Sequence, residues 1–278
     1  MRSDRSWLRA PSRPPAMAGA ATAAAIAATA AGTIAAATVL VLPGIAGSAT
    51  TTTTAAPTTT STTSAAIRPA GAKSLLAASL AAARSQRTVH FSATSTVGSE
   101  SITIVADVAA AKGQEAITVT SGGQTGHVSA RLVKKVAYFR GDAAGLERYL
   151  GLPATLAPKY ANRWMSFEPS DQYYKTVSQA MTISSAVGQI SVKAPASTGP
   201  SSPVNGTAAI GITGTTTSLG SKGPAVLYVP AQGSLLPLRY TGQGKEQKQK
   251  ATGQVDFSHW GESFSVVAPA KAVRSSSV

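Results

Sequence analysis

Thr88-Val89-His90-Phe91-Ser92-Ala93-Thr94-Ser95-Thr96-Val97, then Gly98-Ser99, then Ser101-Ile102-Thr103-Ile104-Val105-Ala106-Asp107-Val108: this stretch decides the fold. Its period is two. Val89, Phe91, Ala93 and Val97 share one face of the first run, and His90, Ser92, Thr94 and Thr96 share the other. In the second run Ile102, Ile104, Ala106 and Val108 alternate with Ser101, Thr103 and Asp107. Gly98-Ser99 is short enough to join the two runs only as a hairpin.

The alternation continues outward. Ile117 and Val119 precede a Ser121-Gly122-Gly123 turn, and Val128, Ala130 and Leu132 follow it. Lys135–Arg140 ends at a Gly141-Asp142 turn. Consecutive runs joined by short turns predict an antiparallel meander. Upstream, Leu75, Leu76 and Leu80 among alanines predict an amphipathic helix of about fourteen residues within Pro69–Arg87.

The middle is helical in character over Ala143–Leu150, Ala154–Tyr160 and Asp171–Thr182, with prolines breaking it into pieces. Asn162–Phe167 reads as a short strand and Pro195–Pro203 as a loop. Strands return over Gly206–Thr217, Ala225–Val229, Leu236–Tyr240, Gln247–Phe257 and Ser263–Val267, with a turn or edge at Lys245–Lys250. The total is about nine or ten strands. The fold class is α+β: a single curved antiparallel sheet, with an N-terminal helix and a helical insertion covering its apolar face. Periodicity leaves open whether that face meets a filled core or an apolar cavity.

The N-terminus bears on location. Arg2, Arg5, Arg9 and Arg13 precede an Ala-rich apolar stretch from Ala16 to about Leu42. Basic flank followed by apolar stretch reads as an export segment, either a signal peptide cut near Gly44–Ser48 or an uncleaved membrane anchor. The domains are then 1–47, tail plus signal or anchor; 48–68, a Thr/Ser/Ala/Pro linker that cannot bury enough apolar surface to fold; 69–270, the folded domain; and 271–278, a loose tail. The expected location is extracytoplasmic, anchored or secreted.

The 278 residues carry 25 Lys and Arg against 11 Asp and Glu, a net charge of +14. The cations are dispersed and no nucleic-acid motif is present, so a membrane surface or a polyanionic wall polymer fits better than nucleic acid. With no cysteine, disulfide scaffolds, thiolate metal sites and cysteine nucleophiles are excluded.

Several strings occur in a suggestive order: Val136-Ala137-Tyr138-Phe139-Arg140-Gly141-Asp142, Asn162-Arg163-Trp164-Met165-Ser166-Phe167, Leu227-Tyr228-Val229-Pro230, Leu236-Pro237-Leu238-Arg239-Tyr240 and Val255-Asp256-Phe257-Ser258-His259-Trp260. Together they resemble the LppX/LprG-type envelope lipoproteins of mycobacteria, a family similar in fold to the carrier LolA. The resemblance implies a half-barrel with helices across its open side and an apolar cavity for the acyl chains of a lipid or lipoprotein. It implies a carrier without catalysis, or alternatively a membrane-tethered sensor or scaffolding module of the same fold. One departure stands out: the cysteine that such proteins acylate after their signal sequence is missing, and Gly44–Ser48 occupies its place. On this reading Val89, Phe91, Ile102, Ile104, Ile117, Val119, Val128, Leu132, Tyr138 and Trp164 are the expected lipid-binding residues.

No catalytic residue, cofactor site or metal site is expected. His90, His127 and His259 are far apart, and no nucleophile elbow or phosphate-binding loop is present. His90 and His127 fall on polar strand faces. Asp107 and Glu115 are isolated and expected at the surface. Trp164 and Trp260 read as packing anchors or as gates of a cavity mouth. Asn205-Gly206-Thr207 matches a glycosylation sequon.

Overall fold

The computed structural model describes residues 71–274 apart from 172, 179 and 180. The expected export segment and linker lie outside the described residues. Among the described residues, no helix is long and apolar enough to cross a membrane.

Helix α1 (Ala72–Arg84) starts behind Gly71 and presents Ala72, Leu75, Ser79 and Ala83 as one buried stripe. The spacing of three to four residues keeps that stripe on a single side. The first meander follows as β1 (Thr88–Val97), β2 (Glu100–Ala109), β3 (Gly113–Ser121), β4 (Gln124–Val133) and β5 (Val136–Gly141). The insertion carries α2 (Ala143–Leu150), α3 (Ala157–Tyr160), β6 (Met165–Phe167), α4 (Tyr174–Ser178) and α5 (Ile183–Gly188). The second meander is β7 (Lys193–Val204), β8 (Thr207–Thr216), β9 (Gly223–Pro230), β10 (Arg239–Glu246) and β11 (Gln249–Ser258), and β12 (Val273–Arg274) ends it.

All described strands join one sheet in the order β12-β6-β5-β4-β3-β2-β1-β11-β10-β9-β8-β7. The sheet is open, with β12 and β7 at its edges, and antiparallel except for β12 beside β6. β1 sits near the middle, hydrogen-bonded to β2 on one side and to β11 on the other. The α+β class expected from periodicity is what the chain adopts.

Three local differences have physical causes. The Pro-containing segment read as a loop is the edge strand β7, whose pairing with β8 is broken by register shifts. Proline is tolerated there because an edge strand need not donate every N–H. Helix α5 was hidden by its brevity; Thr182 caps it by accepting from the Ser185 N–H. Ser263–Val267 forms no strand but lies within an irregular strap. That strap carries the chain from β11 across to β6, held where Lys112 Nζ donates to the Phe264 carbonyl at 2.8 Å and Arg131 Nη1 donates to the Val267 carbonyl at 3.1 Å.

The helices cover one face of the sheet, and the apolar side chains beneath them form two clusters. The first joins α1 and α5 to Val89, Phe91, Ala93, Val108, Leu227, Val229, Tyr240, Val255 and Phe257. The second joins Leu146 and Leu150 of α2 and Val177 of α4 to Ile117, Val128, Leu132, Phe139, Met165 and Phe167. Most of the covered face is therefore filled with interlocked side chains.

Candidate functional site: an apolar cleft between two cores

Ile104 is half-buried and packs against both clusters. Beside it the two cores separate. A narrow, partly open cleft lies between them, its cavity volume only about 30 Å³. Ala93 and Ser95 of β1, Ile102 and Ile104 of β2, Tyr240 of β10 and Val255 of β11 form its sheet wall. Strand parity puts these side chains on the covered face, where they alternate with outward neighbours that are polar apart from the exposed Val105.

The rest of the wall comes from two covering segments. Gln189, the C-cap of α5, contributes an amide to a mainly apolar wall to which Thr94, Gly253 and Gln254 of the sheet also belong. Ser218 and Leu219 come from the β8–β9 loop. Local bonds shape that loop: Thr216 Oγ1 accepts from the Ser218 N–H at 3.1 Å, and Ser221 Oγ accepts from the Lys245 N–H at 2.8 Å. Tyr240 Oη donates to the Ser191 carbonyl at 3.0 Å and ties the segment after α5 to the sheet. Physically, the cleft suits a hydrocarbon chain with one polar group near Gln189. Two hydroxyls of the lining are engaged in hydrogen bonds: Ser95 Oγ donates to the Thr252 carbonyl at 3.3 Å, and Ser218 Oγ lies 2.8 Å from Thr216 Oγ1.

The ten expected lining residues divide. Ile102 and Ile104 line the cleft. Val89 and Phe91 are packed in the first core and Ile117, Val128 and Leu132 in the second, each with little or no exposure. Val119 is half-buried. Tyr138 lies on the opposite, outer face, because it alternates with the buried Ala137 and Phe139. Trp164 is half-buried and stacks with guanidinium groups, its ring 4.9 Å from Arg131 Cζ and 5.1 Å from Arg140 Cζ. Tyr240, Val255, Gln189 and Leu219 escaped the sequence reading. Parity within their strands pointed to the first two. The other two depend on tertiary folding.

Glu115 corrects an expectation. It is buried, not at the surface, with 5% exposure. Its Oε1 has no hydrogen-bond partner among the described residues. The cause is parity, since Glu115 shares the covered face with Ile117. Burial pushes its carboxyl up to about 8. Burial and the nearby Glu115 likewise push the Tyr149 phenol upward.

A second, polar pocket of about 100 Å³ lies beneath the strap, lined by Thr88, His90, Asp107, His259, Glu262 and Phe264 among others. His90 Nδ1 is 2.8 Å from Asp107 Oδ1, and Gln114 Nε2 donates to Asp107 Oδ2 at 3.0 Å. Burial raises the Asp107 carboxyl, but the bonds from Gln114 and His90, with the charges of His90 and His259, hold it below its ordinary value. The His90 and His259 rings meet edge to face at 5.5 Å. Among the described residues, no cluster of three His, Asp or Glu could hold a metal ion. Trp260 is a packing anchor: it stacks on Phe257 and donates to the Pro237 carbonyl at 3.0 Å.

No protein-family model and no curated protein matches the chain. Among solved structures it is similar to LprF from Mycobacterium bovis, at 16% identity and a TM-score of 0.48, over 72% of this chain and 97% of that one. It is also similar to the lipoprotein LppX from Mycobacterium tuberculosis, at 15% identity and a TM-score of 0.43, over 70% and 98%. Both are of the type that the sequence strings resemble, and the likeness is one of fold outline.

Proposed function

We propose that this is an exported, non-catalytic envelope protein that binds a single acyl chain in the cleft between its two cores. One observation carries the reading: between filled cores, Ile102, Ile104, Tyr240 and Val255 line a mainly apolar space, with the amides of Gln189 and Gln254 at its wall. Transfer of a chain from water into such space is worth about 0.8 kcal/mol per methylene. Binding without specific polar contacts therefore needs a chain of about eight or more buried methylenes, enough to offset the cost of association. The covering loop at Ser218–Leu219 has to yield for a longer chain to enter, and a carrier releases its cargo by the same movement.

Native mass spectrometry of gently purified protein, with uptake of a fluorescent fatty acid, tests this. Ile104→Trp fills the cleft and abolishes uptake while the protein stays folded. A lipid-free mass together with no uptake by the wild type overturns the reading. The filled cores on either side favour a second role in that event, a membrane-tethered sensor or scaffold. Transfer of lipid between vesicles separates the two, since a carrier alone accelerates it.

A further inference from the structure

The outer face of the sheet, opposite the helices, carries a corner of unusual composition. Arg131 on β4 and Arg140 on β5 both stack on Trp164, which enters β6. Lys134 and Lys135 form the exposed turn between β4 and β5. Arg274, exposed on β12, pairs in register with Ser166 of β6, two residues past Trp164. Two cations thus sit on one indole, and three more lie on the adjoining turn and edge strand. The ion pairs seen elsewhere, His90–Asp107 and Arg239–Asp256, involve none of them.

Apolar surface adjoins this charge. Val267 on the strap is 66% exposed, and Arg131 Nη1 holds its carbonyl at 3.1 Å. Positive charge, a partly buried indole and an exposed aliphatic side chain in one place match the chemistry of a lipid headgroup region. Cations there meet phosphates, tryptophan prefers the interface, and a small apolar group reaches the acyl boundary. A surface kept basic for solubility alone needs neither the indole nor the valine.

We propose that this corner, centred on Arg131, Trp164 and Arg140, docks the domain on the anionic phospholipid surface of a membrane. The proposal rests on the exported location inferred above and is independent of whether the cleft holds an acyl chain. Stacking fixes the two guanidinium groups before contact, so less side-chain freedom is lost on binding. The face that docks is the one opposite the helices, so the covering loop of the cleft stays free to move.

Vesicle co-sedimentation of the full chain tests it, comparing phosphatidylcholine alone with phosphatidylcholine containing phosphatidylglycerol. Any N-terminal anchor contributes to both and cancels in the ratio. Loss of two cations by Arg131→Gln with Arg140→Gln lowers the phosphatidylglycerol-dependent binding about thirty-fold at low salt. Arg140→Gln with Arg274→Gln, which leaves the strap bond intact, lowers it comparably. Lys248→Gln with Lys250→Gln, at the β10–β11 turn, removes the same charge elsewhere and changes it about threefold or less. Circular dichroism checks that each variant is folded, and fatty-acid uptake is unchanged in all of them. Equal weakening by the three double variants, no dependence on phosphatidylglycerol, or a preference for an RNA homopolymer over vesicles overturns the proposal.

Discussion

A Cβ on Gly126 would lie 2.4 Å from the backbone nitrogen of Gly145. The first turn of α2 thus rests directly on β4, backbone against backbone. The Asp142 carboxylate secures the contact from the other side: Oδ1 accepts from the Gly145 N–H at 2.7 Å and Oδ2 from the His127 N–H at 3.0 Å. Gly145→Ala would put a methyl 2.5 Å from the His127 carbonyl oxygen, and backbone cannot step aside cheaply. The expected loss is about 3 kcal/mol, at the upper end for overpacking. Asp142→Ala costs less, about 1–2 kcal/mol, as a lost helix cap. Urea denaturation of both variants checks the order.

Glu115 makes stability depend on pH. Its folded value of about 8 stands above the ordinary 4.5, so the folded chain holds this proton more tightly than the unfolded one. Below the ordinary value it costs nothing through this linkage. As pH rises from about 4.5 to about 8, stability falls, and above that the loss is complete, on the order of a few kcal/mol. Glu115→Gln, which mimics the protonated form, should flatten that slope and raise the melting temperature most at the alkaline end. Thermal melts of both proteins across the window would expose an error: parallel curves mean that Glu115 is not the titrating group.

Leu219 is 2% exposed and forms part of the cleft cover. Leu219→Ala should cost about 2–4 kcal/mol through the cavity it leaves and should quicken fatty-acid uptake. Stopped-flow fluorescence reads the second effect. Slower or unchanged uptake would mean that the loop does not gate the cleft.

Gln247 and Lys248 turn β10 into β11 with φ of 47° and 70°. Left-handed backbone costs non-glycine residues about 1–2 kcal/mol each. Replacement by Asn-Gly, the pair this turn favours, should stabilise the protein by about 1 kcal/mol with uptake unchanged, as read from the denaturation midpoint.

Period-two alternation made the first meander plain, because Val89 to Val108 places apolar groups strictly in turn. The same rule, applied to Glu115, would have placed it inside; its charge argued otherwise, and parity won. Tyr138 belongs to a string that resembles the lipid-binding family, yet Ala137 and Phe139 beside it occupy the covered face and turn it outward. The cleft itself was not legible. It exists because Gln189, Leu219 and Ile104, distant in sequence, leave a gap where two cores fail to merge, and no local pattern records a gap.

Apart from the two-residue β12, every neighbouring pair in the sheet is also consecutive along the chain, with one exception: β1 against β11. That seam joins His90 to Ser258. Loop closure over such a distance is the slow part of forming a sheet, so the two meanders can each assemble before they meet. The cleft draws Ala93 and Ile104 from one side of the seam and Tyr240 and Val255 from the other. During synthesis, the last long strand to emerge is the one that completes the greasy slot, so the proposed acyl-chain site does not exist in a half-made chain.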